Sequence, residues 1–423
     1  MVEPLLIPYG KHHLALTLPD DYPVTVIAPQ DVPAALDPLA AVARALDEPV
    51  GGVSLADFAG VTLAAVAISD KTRPVPHEFL LPPLLARLQD LGLPPEVITL
   101  LIASGSHAPM PPQEFGRVVP GSVTGYPVFS HDCDDENLAY LGHTARGTPV
   151  WANRRFVEAD LRIVVGSLAP HQFMGFSGGV KGAAIGLAGR QTITRNHALL
   201  TDPGARLGEY DGNPARQDVE AIGHMMGVHF ALNAILNRDR QIAAVLAGEP
   251  VAVMRAGIPQ ARKIGQVAVD GLFDLVIASP GGAPKDLNIY QAQKALGHAA
   301  LITKPGGWLI LAAACNEGTG SATYERWLAE HQPTSHADVI AQFTREEFRI
   351  GAHKAFQISR DAVNRQVRLV SELPPDFVRK LLLTPAESLQ AAVVEALAAL
   401  PPDARIAVMP QANTTVPVLA QPV

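Results

Sequence analysis

Cysteine is nearly absent: Cys133 and Cys315 are the only two in 423 residues. That is too few to staple the chain or to build a thiolate metal site, so a reducing, cytoplasmic setting is expected. No stretch reaches about 18 unbroken apolar residues, and the N-terminus lacks the basic start and long apolar run of a signal peptide. A membrane span is therefore not expected. Positive charge is never clustered and the net charge is −8, which disfavours nucleic acid and anionic lipid as partners. Charged residues make up only 17% against 48% hydrophobic, a balance that fits a globular enzyme and excludes a disordered chain.

What is present suffices for two domains of ordinary size. The 37 prolines are scattered between elements and read as turn and helix-start punctuation. Val61 to Ile68, Val97 to Ala103 and Leu161 to Val165 are near-continuous apolar runs, the mark of strands covered on both faces in a parallel sheet. Polar residues follow each run: Asp70 and Arg73, then His107, then His171. Ligands bind at the carboxyl edge of open α/β sheets, so these groups are expected to converge. The pattern restarts near residue 270, with a strand at 274–279 and a helix at 287–298 carrying Tyr290, Gln291 and Lys294. The expected fold is α/β, with two domains (1–269 and 270–423), largely parallel sheets and an active site in the cleft between them. The acidic run His131 to Glu136 reads as a solvated turn in preference to a metal cluster.

The most distinctive stretch runs from Pro170 to His197. Gly175, Gly178, Gly179, Gly182, Gly186 and Gly189 fall within fifteen residues around Lys181, a density that reads as a ligand site built from backbone N–H groups. It is not a phosphate-binding P-loop, because Val180 and Gly182 stand where that motif needs Gly before the lysine and a hydroxyl after it. A lysine held in a partly desolvated pocket can instead act as a nucleophile and bond covalently to a cofactor.

Taken together, Ser-Asp-Lys-Thr-Arg-Pro at 69–74, Gly-Ser-His at 105–107, Pro-His-Gln-Phe-Met-Gly-Phe-Ser-Gly-Gly-Val-Lys at 170–181, Asn196-His197 and Tyr-Gln-Ala-Gln-Lys at 290–294 resemble the nickel-pincer lactate racemase family. The order and spacing match, and smaller similarities extend across most of the chain. The resemblance implies a nickel ion held in a pyridinium-3,5-bisthiocarboxylic acid mononucleotide, tethered through a thioamide to Lys181, with His197 as the protein-derived nickel ligand. Asp70, Thr72, Gly178 and Gly179 are implied to line that cofactor. His107 and His171 match the family's acid–base pair, while Arg73, Tyr290, Gln291 and Lys294 match residues that hold the substrate. The implied reaction is racemisation or epimerisation of a 2-hydroxy acid by reversible hydride transfer. Cofactor-synthesis proteins are implied as maturation partners, and a homo-oligomer is a further expectation. Two departures, Ala108 and Val180 at positions where the family often has a long basic residue, bear on the substrate; another sugar-acid or polyol-acid epimerisation, or a cofactor-less binding protein of the same fold, are the alternatives.

Overall fold

The computed structural model describes residues 4–73 and 75–420. It contains two α/β units, one spanning Asp31–Ile264 and a second that joins the N-terminal segment through Gln30 to the chain from Gly265 onward. This corrects the expected division into consecutive blocks at 269/270. The physical reason is pairing: the strand Val24–Val26 lies parallel to Ile406–Met409 at the edge of the C-terminal sheet. The hairpin Leu5–Tyr9 and His12–Leu16 buries Ile7, Tyr9 and Leu16 in the core that holds Leu275, Ile277 and Ile310. At the other boundary, Gln266–Val269 pairs with Val416–Leu419.

The unit Asp31–Ile264 is built on a six-stranded sheet, in spatial order Ile242–Gly248, Phe230–Leu236, Leu161–Ser167, Ala64–Ser69, Ile98–Ala103 and Val128–Ser130. All neighbours are parallel except the antiparallel edge strand Ile242–Gly248. Ala64 to Ile68 are at most 1% exposed, as a run without polar alternation requires when both sheet faces are covered. One covering helix, His77–Asp90, seats Leu80, Leu81, Leu84, Leu85 and Leu88 in the core despite Pro82 and Pro83 in its interior. From Ala64–Ser69 the chain moves to Ile98–Ala103 on one side and later returns to Leu161–Ser167 on the other. The strand order thus reverses between Ala64–Ser69 and Leu161–Ser167, the position at whose carboxyl ends open α/β sheets bind ligands.

The second unit carries another six-stranded parallel sheet, with Phe273–Ala278 between Thr303–Ala312 and Ile406–Met409. Among the described residues, no helix is long and apolar enough to cross a membrane.

Candidate active site

Of the residues that the sequence singled out, Asp70, His107 and His171 follow the carboxyl ends of the strands Ala64–Ser69, Ile98–Ala103 and Leu161–Ser167. Asp70 ends the strand Ala64–Ser69 and its carboxylate is almost fully buried. One oxygen accepts the Thr72 backbone N–H at 3.1 Å and hydroxyl at 2.7 Å, while the other stands 2.7 Å from Nδ1 of His107. Burial alone would raise the Asp70 carboxyl, but the hydrogen bonds from His107 and Thr72, with the nearby charge of Arg73, hold it below the usual carboxylate range. An ionised Asp70 can only accept, so Nδ1 of His107 donates. In the neutral ring Nε2 then carries the lone pair, and His107 presents a base to solvent, its side chain 46% exposed.

His171 is built the opposite way. It pairs with Gly175 in a two-residue antiparallel hairpin, Pro170–His171 against Gly175–Phe176, and its Nδ1 accepts the backbone N–H of Met174 at 3.3 Å. A backbone N–H can only donate, so in the neutral ring the proton of His171 resides on Nε2. Phe173 stands edge-on between His171 and His197, its ring centre 5.1 Å from one imidazole and 5.2 Å from the other.

Lys181 opens the short helix Lys181–Ala184. Desolvation, followed by the charges of Arg73 and Arg216, lowers its amine to about 7. His197 lies in the helix Arg190–Ala198. Desolvation and the neighbouring Lys181 lower its imidazole to about 3. Its buried Nδ1 faces the Ile193 carbonyl one turn back, but has no hydrogen-bond partner of normal geometry among the described residues. A neutral amine and a neutral imidazole with an orphaned nitrogen are what a covalent tether and a metal ligand respectively need. On that chemistry the donor set fits a lysine-bound metal cofactor.

Several supports were not legible in sequence. Arg216 is fully buried, pairs with Glu220 at 2.6 Å, and donates to the carbonyls of Phe176 and Gly178 at 3.0 and 3.2 Å. Asn233 takes the N–H of Gly179 at 2.7 Å. Asp218, also buried, accepts from Thr144 at 2.6 Å and from Thr148 and Asn196 at 2.9 and 3.0 Å, fixing the residue next to His197. The loop that carries His107 is tied down by the Gly105 N–H, which donates to the Gly186 carbonyl at 2.9 Å. Arg216, Asn233 and Asp218 belong to no local motif; each becomes visible only through contacts distant in sequence.

The glycines of the loop are closely packed. A Cβ at Gly178 would come within 2.9 Å of Asn233, and one at Gly179 within 2.7 Å of Met254. At both positions packing of the chain on itself requires the missing side chain. Gly175 is the extreme case, with φ +69° and a virtual Cβ 1.6 Å from the Glu209 carbonyl oxygen. Gly175→Ala should therefore lower stability by roughly 2–4 kcal/mol, read as a drop in the denaturant midpoint at unchanged m-value; a loss below about 0.5 kcal/mol would contradict this packing. Val180 is also buried, against Gly223, so its departure from the family pattern serves packing. Ala108 is exposed beside His107. In the acidic turn, Asp132 and Asp135 cap the N–H groups of Asp134 and Asn137, and Arg190 engages Asp134 through two bonds of 2.5 and 2.6 Å.

Tyr290, Gln291 and Lys294 belong to the other unit, on the helix Ile289–Ala300, whose N-terminus Asn288 caps by accepting the Gln291 N–H at 3.1 Å. Lys294 Nζ donates to Gln291 Oε1 at 2.7 Å.

Residues 9–208 match the lactate racemase N-terminal domain and residues 270–417 the lactate racemase C-terminal domain. A lactate racemase of Thermoanaerobacterium thermosaccharolyticum is 32% identical, with 96% of each chain covered. That of Lactiplantibacillus plantarum is 30% identical, covering 87% of this chain and 88% of the relative. The fold superposes on the lactate racemase apoprotein from T. thermosaccharolyticum with a TM-score of 0.90 at 30% identity, over 99% of this chain and all of that one. A Thermotoga maritima protein, at TM-score 0.68 and 18% identity over 92% of this chain, shares the fold. The protein is thus a two-unit α/β isomerase. It belongs to the lactate racemase family.

Proposed function

We propose that this enzyme interconverts the two configurations at the hydroxyl-bearing carbon of a 2-hydroxy acid, with lactate the reference substrate because both curated relatives are lactate racemases. The carrying observation is that His107 and His171 follow the carboxyl ends of two strands of one sheet, with Nδ1 of His107 held 2.7 Å from the Asp70 carboxylate. A racemase must remove the hydroxyl proton from either enantiomer and return it to the other. One ring must be neutral to take the hydroxyl proton while the other, as imidazolium, gives a proton and becomes neutral, and the two charge states exchange when the reaction reverses. Lys181 and His197 would hold the nickel-pincer nucleotide, which when bound supplies the acceptor for the hydride from the substrate carbon. Arg73, Gln291 and Lys294 are proposed to bind the carboxylate, a guanidinium and an ammonium being suited to it.

Incubating the cofactor-loaded enzyme with single-enantiomer 2-hydroxy acids should produce loss of optical purity for at least one of them. Retained optical purity across the whole set would reject this function. Asp70→Asn should lower kcat by roughly ten- to a hundredfold with little change in KM, since it removes a charge-assisted hydrogen bond from His107 without touching the carboxylate contacts. An equal rise in KM at unchanged kcat would place Asp70 in binding instead.

A further inference from the structure

The helix His353–Ala362, in the unit that carries Lys294, buries a lysine. Lys354 is 3% exposed; its Nζ donates to Gln293 Oε1 at 3.1 Å and stands 4.3 Å from the centre of the Tyr290 ring. Neither partner is charged. Asp361 is close enough to act on Lys354 electrostatically, but its carboxylate is taken by Arg360 at 2.9 Å and by the Gln293 amide at 3.2 Å. Burial, and then the ammonium of Lys294, push the Lys354 amine well below the ordinary lysine range. Two lysine amines therefore lie close enough to repel each other when charged, and the buried one has no carboxylate of its own among the described residues.

A lysine placed here only to fill space would be inferior to Met or Leu, which occupy a similar volume without the desolvation cost. A bound anion changes that balance, because it restores the charge on the amine and supplies the missing partner. Lys294 and Gln291 already provide for one carboxylate. We propose that Lys354 is a specificity-determining residue giving a second cationic contact, and that the substrate is a 2-hydroxy acid with a second anionic group, a dicarboxylate in preference to a monocarboxylate. This rests on the racemase reading above and narrows it.

Calorimetric titration of the cofactor-loaded enzyme with racemic malate and racemic lactate tests the inference, since racemic ligands give no net reaction heat. Malate should bind on the order of ten- to a hundredfold more tightly, as one added charge-assisted contact implies. Lys354→Met should erase that preference while leaving lactate affinity within about threefold, and Lys354→Gln, which keeps a polar tip for Gln293, should do the same if Met perturbs the fold. Equal or tighter binding of lactate by the unaltered enzyme overturns the proposal, as does a malate preference that survives in both variants. Malate binding that depends on Lys354, without loss of optical purity in any 2-hydroxy acid, would instead leave the anion contact standing and reject the racemase reading.

Discussion

The unaltered chain, co-expressed with cofactor-synthesis proteins, should carry a mass adduct that Lys181→Ala lacks, and the racemase activity of the variant should fall to background. No other side chain can take over, because the reaction needs an amine that is uncharged near neutrality and held in this loop. The amine of Lys181, lowered to about 7 by burial beside Arg73 and Arg216, is mostly uncharged from just above that pH, whereas an ordinary lysine is uncharged only near pH 10. The sign of the pH effect follows. In cofactor-free protein, labelling of Lys181 by a small acylating reagent should rise through a midpoint near 7, while surface lysines gain reactivity only in alkali. A midpoint close to 10 for Lys181, or an unchanged adduct in the alanine variant, would remove it from the tethering role.

The next largest effect belongs to the two imidazoles. His107→Ala and His171→Ala should each reduce racemisation by roughly 10²–10⁴-fold, and each must do so in both directions, because a single base for one enantiomer is the acid for the other. For simple enantiomers the equilibrium constant is one, so no variant can slow only one direction at steady state. The variants should nevertheless differ in a single turnover. His107→Ala should be the poorer at removing the hydroxyl proton from one enantiomer, and His171→Ala from its mirror image, as the proposed two-base mechanism requires. Loss below tenfold in both variants, with unchanged single-turnover rates, would make these rings structural.

Much of this was open to a reader of the sequence. The three apolar runs before Asp70, His107 and His171 could only be strands buried on both faces, and carboxyl-edge chemistry followed from that. The first thirty residues belong with the C-terminal unit through the strand Val24–Val26, which is three residues long and exposed along its length, so no periodicity marks it. The helix His353–Ala362 was missed for the opposite reason. His353, Lys354, Gln357, Ser359 and Asp361 are buried alongside its apolar residues, and a helix enclosed on nearly every side shows no polar face to read. For the glycine-rich loop, composition reports that side chains are missing, not whether protein or ligand occupies the space; packing accounts for Gly175, Gly178 and Gly179. Arg216, Asn233 and Asp218 hold the loop across long sequence separations, a relation that one sequence does not display.

The pairing of Val24–Val26 with Ile406–Met409 also constrains how the protein is made. Its partner leaves the ribosome roughly 380 residues later, which at about 5–20 residues per second is a wait of roughly 20–75 s. During that interval the segment Asp31–Ile264 has all of its own strands and can fold, while the N-terminal hairpin and strand remain without the sheet they complete. The nascent chain thus carries an unmatched β edge for most of its synthesis, a natural place for a chaperone to act and for aggregation to begin when translation stalls before the last strand emerges.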